Sequence, residues 1–162
     1  MLGGEKMYTN ELTGHRGIIE FTVFDLDGSV IETRTIKNMI TDVWFNYVRD
    51  AMLGLQNDLE IKYMAVGDSV VVPAKSDYKL GNERFRKPLT KKESQTSVGR
   101  MRSTTYLAPY EAVFQIGEIG FYGGNATDTK DSGVLLARVL YSRNKTSLES
   151  IQVVRTDEFR RV

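Results

Sequence analysis

A chain of 162 residues with 41% hydrophobic and 27% charged side chains has room for one domain with a sizeable core, and its formal charge of +1 lacks the basic excess of a nucleic-acid face. Cysteine is absent, which excludes a disulfide scaffold, thiol catalysis and cysteine-ligated zinc. No stretch reaches the roughly 18 apolar residues of a membrane-spanning helix, and the polar segment Met1 to Arg16 has no apolar core of the secretory-signal kind.

Residues 1–16 read as an extended N-terminal arm, because Gly3, Gly4, Thr9, Asn10, Thr13 and Gly14 leave no periodic apolar face. The single histidine, His15, falls in that arm and cannot build a metal site alone. Gly17 to Asp25 then alternates Ile19, Phe21 and Val23 with Glu20, Thr22 and Phe24, the period of a strand. A second β-rich run, Val30 to Ile36, follows through Asp27-Gly28, a hairpin-turn signal. The one strong helical pattern covers about residues 39–54, with Asn38 as N-cap, Asp42 in the first turn and Gly54 as a left-handed C-terminal cap. Trp44 and Tyr47 stand on its apolar face and read as core.

Beyond the helix the pattern is β. Ile61 to Val66 is a buried strand ending at Gly67-Asp68, and Val70 to Ser76 is a loop broken by Pro73. Asp77 to Arg86 reads as a short helix or a turn. Phe85 to Lys92 and Val98 to Leu107 are candidate partners, the second offering an edge on which a neighbouring chain could pair. Val113 to Tyr122, Gly133 to Tyr141 and Ile151 to Phe159 complete about eight strands. Phe121 and Tyr122 read as core. The basic run Arg84, Arg86, Lys87, Lys91 and Lys92 reads as a solvated edge that discourages sheet aggregation. Strand following strand without intervening helices implies a mainly β domain over 17–162: an antiparallel β-sandwich or barrel-like sheet with one packed helix.

One string suggests chemistry. Val23-Phe24-Asp25-Leu26-Asp27-Gly28-Ser29 resembles the first motif of the haloacid dehalogenase superfamily, in which two carboxylates at i and i+2 serve as nucleophile and general acid/base and help to hold magnesium. Val66-Gly67-Asp68-Ser69 is similar to that superfamily's metal loop. Only about 40 residues separate Asp25 from Asp68, no second acid follows Asp68 closely, and the β continuation after Ser29 does not suit a doubly wound parallel sheet. Asp27 and Gly28 therefore read as a hairpin turn, and no catalytic, cofactor or metal residue is assigned.

A different resemblance covers roughly Ile36 to Val139. Met64-Ala65-Val66-Gly67-Asp68, a Pro-containing loop, Leu80 with Glu83 and Arg86, Glu118-Ile119-Gly120-Phe121-Tyr122 and Leu136-Ala137-Arg138 together resemble the N-terminal module of bacteriophage tail-fibre (tail-collar fibre) proteins and related small virion proteins. Gly67 and Asp68 mark the loop of that pattern; Glu118, Ile119, Gly120 and Phe121 mark its strand. The resemblance implies a non-catalytic virion component without cofactor, made in the host cytoplasm. Its partners would be other virion proteins and copies of itself, a trimer by analogy, and neither nucleic acid nor membrane. The chain stops at Val162 with no repetitive shaft, so the expected role is a short tail-fibre or baseplate adaptor. Capsid decoration is the alternative, and a magnesium-dependent phosphatase a distant one.

Overall fold

The computed structural model describes residues 14–160. Nine strands and one helix follow in order: β1 Gly14–Asp25, β2 Val30–Ile40, α1 Asp42–Met52, β3 Ile61–Gly67, β4 Glu83–Pro88, β5 Lys91–Ser94, β6 Arg100–Leu107, β7 Gln115–Gly123, β8 Val134–Asn144 and β9 Glu149–Arg160. All pairings are antiparallel, in the order β4-β3-β7-β8-β2-β1-β9-β6-β5, and the sheet curls into a half-barrel. The mainly β class with one packed helix, read from the alternating pattern, is the architecture found.

Two devices curl the sheet. β2 runs beside β1 from Val30 to Asn38 and then transfers, so that Met39 and Ile40 pair with Arg138 and Ala137 of β8. At the far corner, Leu89 N–H donates to Lys62 O of β3 while the next residue, Thr90, donates to Thr104 O of β6. Two residues thus carry the chain from one sheet edge, β4, to the other, β5. Pro88 ends β4 on this edge, where a missing N–H breaks no ladder.

Alternation decides what the curl encloses. Ile19, Phe21 and Val23 of β1, Ile151 and Val153 of β9 and Leu107 of β6 cluster with Met64, Val66, Ile119, Phe121, Val139 and Tyr141 of the other half. Phe21 stacks on Tyr141 with ring centroids 4.0 Å apart. Each large apolar side chain enclosed here contributes about 1.5–3 kcal/mol. The opposite face of β3, β7 and β8 is covered too: Ala65, Tyr122 and Leu135 pack under Leu80, Ala126 and Val43. Burial on both faces explains why Ile116 to Gly123 are all buried, and why β7 reads as a mostly apolar run carrying three glycines.

Several sequence expectations are corrected. The helix begins at Asp42, not Met39. Thr41 caps it by accepting from Trp44 N–H at 3.3 Å, because ladder bonds to β8 hold Met39 and Ile40 extended. Asn38 is a strand residue seated over Gly17, where an added Cβ would meet its Oδ1 at 2.1 Å. Gly54 does take the left-handed conformation, with φ +74, and Trp44 is buried. Gly14 to Arg16 belong to β1: the His15 ring stacks on Phe159 and bonds Asp157 at 2.6 Å, which holds them in the sheet. The rest of the expected arm, 1–13, lies outside the described residues. Asp77 to Arg86 forms neither a helix nor one turn; β4 starts at Glu83. The second run of the expected hairpin pair, β6, lies between β9 and β5, and β5 covers its edge from Met101 to Thr104. The basic run does lie on the two edge strands, β4 and β5, with Arg84, Lys91 and Lys92 exposed. Arg84 pairs there with Asp68, Lys87 with Glu111, Lys91 with Glu93 and Lys92 with Glu60; Arg86 alone departs from the expectation, its side chain being buried against Glu83.

Candidate functional site

The two marker segments, about 50 residues apart in the chain, are register partners: Gly67 on β3 stands opposite Glu118 on β7. Alternation sends Ile119 and Phe121 into the main core and turns Glu118 and Gly120 to the other face. There the segment 68–82 crosses the sheet. An added Cβ at Gly67 would meet Asn82 O at 2.4 Å, and one at Gly120 would meet a Leu80 methyl at 2.7 Å. Only glycine permits so close an approach at either position.

Glu118 fastens that segment. It is wholly buried, and its carboxylate accepts from Gly81 N–H at 3.0 Å, Asn82 N–H at 2.7 Å and Arg138 Nε at 2.6 Å. Arg138 extends the network by donating to Asp77 at 2.8 Å and to Val71 O at 2.8 Å. Burial pulls the Arg138 guanidinium down, but the Asp77 and Glu118 carboxylates outweigh it, so it is held above its ordinary value and stays charged. Tyr122 closes the seam, its hydroxyl accepting from Leu80 N–H at 2.9 Å. Asp68 accepts from Asn82 Nδ2 at 2.6 Å and pairs with Arg84; those two contacts hold its carboxyl below the usual range. The Glu118 carboxylate, engaged by three donors of which one is a guanidinium, is a fastening.

What the network holds up is apolar. Val70, Val71 and Val72 follow one another with 67–75% of their surface exposed, and Tyr78 is exposed nearby in sequence. Their backbone is nevertheless fixed, by Val71 N–H to Ser69 Oγ at 3.3 Å, by Val71 O to Arg138, and by Ala74 N–H to Asp77 at 2.9 Å. The loop thus holds three consecutive exposed valines on a braced backbone.

The phosphatase-like string is not gathered with the second match. Asp25 Oδ1 accepts from Asp27 N–H and Ser29 N–H at 3.1 Å each, and Gly28 turns the chain at φ +89. Contacts with the Asp25 side chain and with Ser29 pull the Asp27 carboxyl down to about 2. Asp68 sits on the far half of the sheet, with β7, β8 and β2 between its strand and that of Asp25. No family model, curated protein or solved structure matches the chain.

The marker residues thus come together, whereas Asp27-Gly28 and Asp25 lie elsewhere. Sequence reasoning missed Asp77 and Asn82, which gain their roles only through the path of the loop. It also missed a second fastening: the buried Glu83–Arg86 pair accepts from Asp131 N–H and donates to Thr127 O and Ser132 O, tying down the 124–133 loop. The available signal was a charge inside an apolar strand, as in Ile116-Gly117-Glu118-Ile119 and Leu136-Ala137-Arg138-Val139; such charges are buried only when paired.

Proposed function

We propose that this chain is a non-catalytic structural component of a bacteriophage virion, acting as an adaptor at the tail-fibre or baseplate attachment. One observation carries the reading. Of the motif residues that resemble the tail-fibre module, Gly67, Asp68, Glu118 and Arg138 brace one loop, and that loop presents Val70, Val71 and Val72 to solvent. An adaptor needs a rigid, apolar, pre-ordered contact, since ordering a loop at the moment of docking weakens binding. The partners are other virion proteins and further copies of this chain, in closed symmetry with three copies favoured by analogy. The engagement of Asp25 in its own turn and of Asp68 with Asn82 and Arg84 counts against the phosphatase alternative.

The test is immunogold labelling of purified particles of the phage that encodes the chain. Gold at the tail end supports the adaptor role, gold over the head replaces it with capsid decoration, and particles free of the protein contradict both.

A further inference from the structure

The outward face of β1, β9 and β6 carries a concavity of about 400 Å³ between the β1–β2 turn and the segment after β6. That volume is in the range of small-ligand pockets, roughly 300–1,000 Å³. Cross-strand register assembles it: Phe24 stands opposite Ser150, and Tyr106 opposite Gln152. Pro109 and Asp25 close the two sides.

Three features single it out. Two aromatic side chains line a solvent-facing sheet surface, with Tyr106 41% exposed, where alternation otherwise places threonine, glutamate and arginine beside Ile18 and Val154. Ser150 is only 5% exposed and lines the groove, yet among the described residues its hydroxyl has no hydrogen-bond partner. The Gln152 amide, the Tyr106 hydroxyl and Asp25 Oδ2 likewise make no side-chain hydrogen bond among the described residues, although Asp25 Oδ1 is engaged by the turn. The groove therefore combines aromatic faces with a carboxylate, an amide and a hydroxyl that all have unused capacity.

That set matches a particular chemistry. A pyranose ring has one face of C–H bonds, which packs on an aromatic ring, and a rim of hydroxyls that both donate and accept. A planar amide serves both functions, and a carboxylate oxygen accepts from hydroxyls. We propose that the groove of Phe24, Asp25, Tyr106, Pro109, Ser150 and Gln152 binds one pyranose unit of a saccharide. Tyr106 is the stacking platform, Gln152 and Asp25 the hydroxyl partners, and Ser150 the floor contact. This site is independent of the valine loop, which belongs to the other half of the sheet.

The experiment is a titration of the labelled protein, followed by amide NMR, with the methyl glycosides of glucose, galactose, mannose, rhamnose and N-acetylglucosamine, and glycerol as control. At least one glycoside is expected to shift the amides of Phe24, Asp25, Ser150 and Gln152, with a dissociation constant on the order of 1 mM. Tyr106→Ala is expected to weaken it at least about tenfold, the loss of a stacking contact, and Gln152→Ala to weaken it severalfold. Both side chains point away from the core, and the same spectra verify the fold. The proposal is overturned if no glycoside shifts these amides, if glycerol shifts them equally, or if Tyr106→Ala binds as the parent does.

Discussion

Replacing Glu118 with alanine removes a group that ties β7, β8 and the 68–82 segment together. The variant leaves Gly81 N–H and Asn82 N–H without their acceptor and Arg138, 4% exposed, with Asp77 as its remaining carboxylate partner. Breaking a buried ion pair from one side costs about 3–5 kcal/mol, chiefly because a charge is left uncompensated. Orphaned amides would add about 1–3 kcal/mol each if they stayed buried, but Gly81 and Asn82 lie in an exposed stretch and can recover water by lifting off the sheet. The expected loss is therefore about 3–5 kcal/mol in urea denaturation, together with a collapse of hydrogen-exchange protection at Gly81 and Asn82. Arg138→Met in the same background should restore part of the loss, since it removes the stranded charge. The reasoning is wrong if Glu118→Ala alone stays within about 0.5 kcal/mol of the parent, the range of an uninvolved surface change.

Further expectations follow from the same geometry. Gly67→Ala forces a methyl against Asn82 O and the Glu118 carboxylate and should cost about 1–3 kcal/mol by urea denaturation. Gly28→Ala meets no atom within 4 Å and strains only its positive φ, so it should cost about 1 kcal/mol. Acid should destabilise the fold. Burial raises the Asp157 carboxyl, but Arg155 and His15 more than reverse this, and its folded value lies below the ordinary one; Arg143 does the same for Glu149. For groups lowered on folding, the stabilisation is complete above the unfolded value of about 4 and is lost as pH falls through the folded value. Urea midpoints should therefore drop from pH 5 toward pH 2, with a shallower drop in Asp157→Asn; a midpoint that rises on acidification would refute the assignment.

The class of the fold was legible because strand alternation and turn residues are local properties. Ile19, Phe21 and Val23 announce a half-buried strand wherever that strand lies. What was not legible depends on which strand meets which. Met39 and Ile40 continue a helical spacing from α1, yet the ladder to β8 claims them, and no local rule weighs those options. Leu89 and Thr90 look like the middle of one strand, but curvature splits the run between the two sheet edges. His15 looked like part of an arm because its partner, Asp157, is 142 residues away. The bracing network was half legible: Gly67, Glu118 and Arg138 are among the carriers of the family resemblance, whereas Asp77 and Asn82 acquire meaning only once the loop is seen to cross the sheet.

The proposed attachment role rests on the valine loop, and Val70→Ser, Val71→Ser and Val72→Ser combined address it most directly. All three side chains are exposed, so the isolated protein should keep its stability within about 0.5 kcal/mol. The measurement is the amount of this chain per purified phage particle, compared between parent and triple variant after equal expression. The account predicts a loss of at least about tenfold in incorporation, the consequence of removing an apolar contact of about 1.4 kcal/mol or more. Incorporation equal to the parent's would contradict the claim that this loop is the docking surface.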